Sequence, residues 1–520
     1  MSITLRDYQR RQLEFLKNHL EVTNTASIQS PTGSGKTYTI LALAQEYLSR
    51  PNVNKVVIST GFNNLVFLME ERAKTFGFDN PIILIGKSHA NCSYRMKQNN
   101  EELKTFTNDT KYLCNKRSCK LYNENIEKLK KQKLRGNKLK WDCPYKNKLY
   151  QKTIAEIQDP TSKKLIITNH STLLTQQNLL DCDLLIIDEA HTFSSFYESY
   201  RRIEIDSEDL QHIDSAISNI KEPMRTIIQM NIENGKQLKP QQFEAIANEC
   251  NNFILANKVR NFFGVKSDIS NYIEYTDNSW TLDKFYSYYD LNINGQIVLF
   301  SATIDNFTTK MFNVSNNHQY VETKQFIDYS KSEFVGIKND NFVLALKSFL
   351  KYVDNKGLKS GVVLSTTLTD VKNAISQDGY LNYKFYTKIK DFEKADGKKI
   401  LVGSRRFFQG IDIQNLQFVA LNKIPFPCFG DKAQAQQTYL TEVANEFDPW
   451  NDWTIPNTEN SIIQATGRLW RSLDDFGVVS IFDSRLTKFK YIIKHTMYNY
   501  RHGIDIKLLE NGEATPWDVK

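Results

Sequence analysis

Short apolar runs recur along this chain and are followed by small or polar residues. Val56-Val57-Ile58-Ser59-Thr60, Ile82-Ile83-Leu84-Ile85, Leu165-Ile166-Ile167-Thr168, Asp183-Leu184-Leu185-Ile186-Ile187-Asp188 and Ile297-Val298-Leu299-Phe300-Ser301 form a first series. Gly361-Val362-Val363-Leu364-Ser365, Ile400-Leu401-Val402-Gly403, Phe418-Val419-Ala420-Leu421 and Val478-Val479-Ser480-Ile481-Phe482-Asp483 form a second. A strand covered on both faces has no polar side, so alternation disappears and the run reads as continuous. The two series predict two α/β units with parallel sheets. Leu13 and Leu16, after Leu5-Arg6-Asp7-Tyr8-Gln9, predict an opening helix. From about Phe193 to Lys284 the period changes. Leu210, Ile213, Ile217 and Ile220 follow an acidic start at Asp206-Ser207-Glu208-Asp209, and Phe243, Ile246, Cys250 and Phe253 repeat the helical spacing. This stretch predicts a helical insertion whose apolar stripes are core. The last 30 residues mix basic and aromatic types (Lys488, Phe489, Lys490, Tyr491, Tyr498, Tyr500, Arg501) and predict a closing helix and tail.

Ser30-Pro31-Thr32-Gly33-Ser34-Gly35-Lys36-Thr37 precedes a predicted helix, Tyr38 to Ala44, and reads as a phosphate-binding loop. Gly33 and Gly35 let the backbone curl and aim N–H groups at phosphate oxygens, and the helix adds its positive end. Lys36 supplies charge for the β- and γ-phosphates of ATP, and the Thr37 hydroxyl can ligate Mg²⁺. Ser30 stands where the usual pattern has its first Gly. Gln9, shortly upstream, is a candidate for reading adenine, because an amide offers both a donor and an acceptor.

Asp188 and Glu189 end an apolar strand in the string Asp188-Glu189-Ala190-His191. Open α/β sheets place ligands at that end. Asp188 can hold Mg²⁺ opposite Thr37, and Glu189 can orient and activate a water. Ser301-Ala302-Thr303 can link such a site to a neighbouring surface by hydrogen bonds. In Gln464-Ala465-Thr466-Gly467-Arg468-Leu469-Trp470-Arg471 the two arginines lie three apart, on one helical face. They can reach a γ-phosphate across a cleft, where an arginine finger contributes roughly 10³–10⁵ in rate.

At 520 residues the chain exceeds a single core, and three or four structural units are expected. No stretch approaches the roughly 20 apolar residues of a membrane helix, and the N-terminus shows no secretory signal. Seven cysteines, an odd number, fit a reducing compartment and a cytoplasmic location rather than a disulfide framework. The formal charge of +8 is unevenly spread: Lys87 to Pro160 carries 18 Lys/Arg against 8 Asp/Glu. Such a segment is either a solvated lysine-rich surface or a site for a polyanion. It also holds Cys92, Cys114, Cys119 and Cys143, separated by 21, 4 and 23 residues. Four thiolates suit an iron–sulfur cluster or a tetrahedral zinc.

Taken in order, these segments resemble superfamily 2 helicases of the XPD/DinG type, the DinG branch most of all. Ser30–Thr37 resembles Walker A, Thr60 with Asn64-Leu65 motif Ia, Asn169-His170 the family's N-H element, and Asp188–His191 motif II. Ser301–Thr303 resembles motif III, Gln409-Gly410-Ile411-Asp412 motif V and Gln464–Arg471 motif VI, while Lys423-Ile424-Pro425-Phe426-Pro427 is similar to a DinG-type stretch. In motif Ia, Phe62 and Leu68 replace the usual Thr and Gln.

The resemblance implies catalytic roles for Lys36, Asp188, Glu189, Gln464, Arg468 and Arg471. It implies nucleotide contacts from Gln9, Thr32, Gly33, Ser34, Gly35, Lys36, Thr37, Gly410 and Asp412. It implies a [4Fe–4S] cluster on Cys92, Cys114, Cys119 and Cys143, and Mg²⁺ on Thr37 and Asp188. Cys182, beside a buried strand, is expected to be inert core, and Cys250 and Cys428 lie outside the cluster segment. The chain begins almost at the first motif, so the nuclease-like N-terminal domain of some DinG-like proteins is expected to be missing.

The expected architecture is two RecA-like parallel-sheet domains, the first interrupted by an iron–sulfur insertion and a helical arch-like insertion. The expected boundaries are 1–86, 161–195 and 285–335 for the first domain, 87–160 and 196–284 for its two insertions, and 336–520 for the second domain. The expected activity is ATP-dependent 5′→3′ movement on single-stranded DNA with unwinding of forked or tailed duplex, by a monomer with no membrane partner. The direction comes from the resemblance alone. A translocase that does not unwind and an ATP-switched DNA-binding adaptor are the competing readings.

Overall fold

The protein is described by a computed structural model covering residues 4–31, 33–91, 93, 96, 104–106, 148–234, 238–250, 253–265, 269–276, 279–322, 328–365, 367–404, 413, 415–427, 430–443, 447–470, 475–510 and 512–519. Two compact units emerge. One comprises residues 1–191, 291–427 and 453–520, the other 192–290 and 428–452.

The larger unit contains two sheets. The first comprises β1 (Thr25–Gln29), β2 (Lys55–Thr60), β3 (Ile82–Leu84), β4 (Lys164–Asn169), β5 (Leu184–Asp188), β9 (Gln296–Ser301) and β10 (Gln319–Val321). Their order is β10-β1-β9-β5-β2-β4-β3, every pairing parallel. Gln29 pairs with Ser301, and Asp188 with Phe300. This register brings the phosphate loop, the Asp188-Glu189 turn and the Ser301 turn to one edge, the carboxyl ends of three adjacent strands. Helices α1 (Asp7–Leu20), α2 (Lys36–Ser49) and α3 (Asn63–Phe76) belong to the same half.

The second sheet comprises β11 (Glu333–Ile337), β12 (Ser360–Ser365), β13 (Lys384–Tyr386), β14 (Lys399–Gly403), β15 (Phe418–Asn422), β16 (Val478–Phe482), β17 (Asp505–Glu510) and β18 (Glu513–Pro516). Its order is β13-β14-β12-β15-β16-β11-β17-β18, parallel except for the final pair. Alternate residues of one strand enter opposite cores: Val362, Leu364, Val419 and Leu421 on one face, Val363, Phe418 and Ala420 on the other. That double burial is why these strands read as unbroken apolar runs. Gly361 sits opposite Phe418, and a Cβ there would fall 2.1 Å from the Phe418 ring.

The smaller unit departs from an all-helical insertion. It holds helices such as Ser207–Asn219, Pro240–Glu249 and Phe253–Phe263, and also an antiparallel sheet of β6 (Ile203–Ile205), β8 (Trp280–Lys284) and β7 (Asn271–Tyr275). Asp206 caps the first helix by accepting from the amides of Glu208 and Asp209 at 3.0 and 2.9 Å. The expected stripe from Leu210 to Ile220 packs in or against the core with Ile246, Phe262 and Leu282. Phe253 does not join it and is 77% exposed. A helix ends at Glu249 and another starts at Phe253, so the helical period is not continuous across the break. The helix Asp431–Val443, far along the chain, packs in this unit, where Lys432 bonds Asp283 at 2.9 Å.

The chain's end also differs from a helix and tail. Short helical turns at Lys490–Asn499 lead into β17 and β18, and β17 extends the second sheet beside β11. Lys507 on β17 bonds Glu333 on β11 at 3.0 Å. Polar positions on this edge hid the strands from the apolar pattern.

Candidate functional site

The phosphate loop is shaped by α1. Gly33 and Gly35 have φ of 77° and 75°, the left-handed region that turns successive amides to one side. At Gly35 a Cβ would lie 2.8 Å from Gln9 Nε2. Gln9 Nε2 donates to the carbonyls of Ser34 (3.3 Å) and Gly35 (3.0 Å), and Tyr8 Oη donates to the Ser34 carbonyl at 2.5 Å. Gln9 Oε1 accepts from the Arg6 amide at 2.9 Å. Both ends of the amide expected to meet adenine are thus engaged with the protein.

Ser30, the departure from the usual Gly, is fully buried and useful. Its Oγ accepts from Gln12 Nε2 at 3.2 Å and donates to Ser34 Oγ at 2.8 Å, bracing the loop across its base. Lys36 Nζ donates to the Ser30 and Pro31 carbonyls at 3.1 and 3.4 Å, so its charge lies within the loop. Thr32 lies outside the described residues.

Asp188 ends β5, and Glu189 follows with φ 54°, a strained conformation for a non-glycine residue. Its amide donates to Asp188 Oδ1 at 3.1 Å. Burial and then the Glu189 charge push the Asp188 carboxyl above its ordinary range, while Lys36 and Arg72 oppose the shift. His191 Nδ1 lies 2.7 Å from Ser301 Oγ and 3.4 Å from Glu189 Oε2. Burial pulls His191 downward, against the pull of Glu189. Behind them, His170 Nδ1 lies 2.7 Å from Ser59 Oγ, and burial pulls its imidazole down to about 3. Asn169 Oδ1 caps the next helix through the Thr172 amide at 2.6 Å.

Arg72 was not marked by any spacing in the sequence. It lies on α3 within Glu70-Glu71-Arg72, an ordinary surface pattern, yet its Nη1 is 3.5 Å from Thr37 Oγ1. The neighbourhood of Thr37 and Asp188 is therefore cationic on two sides. A carboxylate and a hydroxyl are hard oxygen donors of the kind Mg²⁺ takes.

The second sheet supplies the helix Ile455–Thr466, which carries Gln464 and leads through Gly467 to Arg468. Gln464 Nε2 is buried without a hydrogen-bond partner among the described residues. Arg468 is 7% exposed, and burial pulls its guanidinium down to about 10, still cationic at neutral pH. The two halves touch at motif III. Asn460 Nδ2 donates to Asp305 Oδ2 at 2.9 Å, Trp453 stacks on Phe307 at 5.9 Å, and Tyr500 Oη donates to the Ala302 carbonyl at 3.5 Å. Arg471, Gly410 and Asp412 lie outside the described residues, as do Cys92, Cys114, Cys119 and Cys143. Cys182 is buried, and its thiol is pushed up to about 12, as an inert core residue requires. Thr60 is also buried, its hydroxyl donating to the Phe62 carbonyl at 3.4 Å. No helix among the described residues is long and apolar enough to cross a membrane.

Comparison with known proteins agrees with this geometry. Residues 2–218 match the family described as type III restriction enzyme, res subunit, and residues 345–499 match the helicase C-terminal domain. A Staphylococcus aureus protein named 3′-5′ exonuclease DinG is 31% identical over 132 residues, 24% of this chain and 14% of that protein. Its Staphylococcus haemolyticus namesake is 30% identical over 135 residues, with the same shares. The aligned stretch thus spans only about a seventh of these relatives. In fold, the chain is similar to an XPD helicase structure (TM-score 0.61, 16% identical, 98% of this chain and 100% of that one). It is likewise similar to S. tokodaii Xpd4 (TM-score 0.61, 14% identical, 97% and 100%). The two family matches, the DinG-like stretch and the XPD-like fold together support a likeness to superfamily 2 helicases of the DinG/XPD type.

Proposed function

We propose that the chain is an ATP-dependent DNA helicase that moves 5′→3′ along single-stranded DNA and unwinds the duplex ahead. The observation that carries the reading is the sheet edge where Lys36, Asp188, Glu189 and Ser301 are gathered, with the second half resting on motif III through Asn460 and Asp305.

The loop amides and Lys36 hold the β- and γ-phosphates. Thr37 and Asp188 would hold Mg²⁺, which would neutralise phosphate charge. Glu189 accepts the proton of the attacking water as oxygen bonds to the γ-phosphorus and the bond to the β-phosphate oxygen breaks. Arg468, with Arg471, stabilises charge on the transferring group. A site divided between two lobes is complete only when they close, so each turnover can drive one cycle of opening and closing. Separating a base-pair step costs about 1.4 kcal/mol of stacking, within reach of one cycle.

DNA is the proposed polyanion, and the lysine-rich stretch 87–160 is its proposed contact at the fork. Backbone amides near Thr60 and Thr366 would add phosphate contacts, since the Thr60 hydroxyl is turned inward; Thr366 lies outside the described residues. Phosphate contacts carry little sequence information, so binding should be nearly sequence-independent. Cys92, Cys114, Cys119 and Cys143 are the proposed [4Fe–4S] ligands, which supports a reducing, intracellular setting. A monomer is the proposed working form.

The test pairs a steady-state ATPase assay with strand displacement on duplexes bearing a 5′ or a 3′ single-stranded tail. The reading expects DNA-stimulated turnover and displacement from the 5′ tail. Displacement from the 3′ tail alone overturns the direction, turnover without displacement reduces the activity to translocation, and absent turnover leaves only an adaptor.

A further inference from the structure

Arg501 is a cation in the core of the second lobe. It is 1% exposed, and among the described residues no carboxylate pairs with it. A buried charge without a counter-ion is costly unless its hydrogen bonds are filled. Its Nε has no hydrogen-bond partner among the described residues, and the bonds of its two Nη atoms converge on one structure. Nη2 donates to Thr466 Oγ1 at 2.6 Å and to the Ile463 carbonyl at 3.3 Å, and Nη1 donates to the Thr496 carbonyl at 2.5 Å. The guanidinium also lies 4.7 Å above the Trp470 ring. Ile463 and Thr466 form the carboxyl end of the helix Ile455–Thr466, where the helix dipole is negative and cations are favoured. Trp470 is itself fixed, its Nε1 donating to Ser332 Oγ at 2.8 Å.

Arg468 lies between these two anchors. Arg501 grips the chain two residues before it, at Thr466, and two residues after it, at Trp470. The planar fork with an aromatic face spans both at once, which neither lysine nor glutamine can do. The adjacent residue looks the other way. Tyr500 Oη donates to the Ala302 carbonyl, next to the Ser301 that meets His191. Burial pushes the Tyr500 phenol upward, Arg501 opposes this, and Tyr329 and the Glu189 charge add to it, so it stays a neutral donor.

We propose that Tyr500 and Arg501 are a positioning pair, joining motif III of the first lobe to the Arg468 segment of the second. The inference rests on the ATPase reading above. It assigns a role to a part of the chain that no motif covers: the pair fixes where Arg468 points when the lobes close. Misplacement of a reacting group by about 1 Å can cost 10²-fold in rate, so an anchor on each side of the finger is a kinetic device as well as a packing contact.

The test uses the full chain with Tyr500→Phe, Arg501→Gln, Arg468→Ala and the two double variants with Arg468→Ala. Tyr500→Phe removes one oxygen and keeps the ring, so its thermal midpoint should match the parent. Its kcat for ATP should fall about three- to tenfold with KM unchanged, because one long hydrogen bond between the lobes is lost. Arg501→Gln should lower kcat about 10²-fold. In the Arg468→Ala background each substitution should change kcat less than twofold, the non-additivity expected when two residues act through a third. In nucleotide-free protein, amide exchange over residues 464–470 should rise in Arg501→Gln and not in Tyr500→Phe. Equal losses with and without Arg468, or a Tyr500→Phe kcat equal to the parent's, overturn the pair while leaving the ATPase reading intact. A parent chain without ATP turnover overturns both. Should Arg501→Gln fail to fold, Tyr500→Phe and its double variant still decide.

Discussion

His191 Nδ1 stands 2.7 Å from Ser301 Oγ, joining the turn after β5 to the end of the neighbouring strand β9. The same imidazole nitrogen is 3.4 Å from Glu189 Oε2, so the carboxylate proposed to activate water and the residue that begins motif III share one neighbour. Ser301 Oγ also accepts from the Thr303 amide at 3.2 Å, which fixes the turn that carries Ala302 toward the second lobe.

Ser301→Ala should therefore damage coupling more than hydrolysis. It takes from a buried imidazole nitrogen its nearest partner and leaves Glu189 Oε2 at 3.4 Å, a cost of up to about 1–3 kcal/mol. Strand displacement per ATP hydrolysed should fall severalfold while DNA-free turnover changes less than threefold. Equal losses in the two assays would show that the bond serves only the chemistry.

Lys36→Ala and Glu189→Gln should both abolish turnover, for different reasons. Loss of Lys36 removes charge from the phosphates and should weaken ATP binding. Glu189→Gln keeps the loop and should still bind ATP, but trap it, because only the group that accepts the water's proton has changed. Equilibrium binding of a fluorescent ATP analogue beside a steady-state assay separates the two, and near-normal turnover in either variant would displace the site.

Gly35→Ala should act through the loop's shape. The added Cβ would lie 2.8 Å from Gln9 Nε2, and the residue would have to hold φ at 75°. Left-handed strain at a non-glycine residue costs about 1–3 kcal/mol; a loop that relaxes away from this φ no longer aims its amides at phosphate, so ATP affinity should fall roughly five- to 100-fold. Gln9→Ala in the Gly35→Ala background should relieve the clash but not the strain. Full recovery of affinity in the double variant would assign the loss to the clash alone.

Cys114→Ser or Cys143→Ser should remove iron and cripple unwinding while ATP turnover persists, because the sheets lie outside that segment. Iron and zinc content per chain, with the absorption spectrum of anaerobically purified protein, checks this directly. Cys250→Ser, a half-buried thiol in the smaller unit, should leave the metal content unchanged. One zinc and no iron in the parent chain would replace the cluster with a structural zinc.

The sequence by itself determined nine strands of the two sheets, those that read as continuous apolar runs, and the residues at several of their carboxyl ends. Double burial leaves an apolar run such as Leu184–Ile187 no other comfortable state, and glycines at positive φ have few substitutes. Lys36, Asp188 and Glu189 were legible for that reason: each is tied to a local pattern of strand, turn and helix. What the sequence could not show are contacts made by residues with no local signature. Arg72 reaches Thr37 only because α3 packs beside the phosphate loop, and its own neighbours spell an ordinary charged helix. Ser30 and Gln12 form a brace visible only once α1 lies over the loop. The edge strands β17 and β18 carry few apolar residues because they are covered on fewer sides. They exist as strands only because β11 offers β17 an edge to pair with. Arg501 is the extreme case: a basic residue in a basic, aromatic tail, it becomes a buried anchor only when Thr466, Ile463 and Trp470 are folded around it. Local chemistry is written in neighbouring residues, whereas the partners of a buried charge are chosen by packing between segments dozens to hundreds of positions apart.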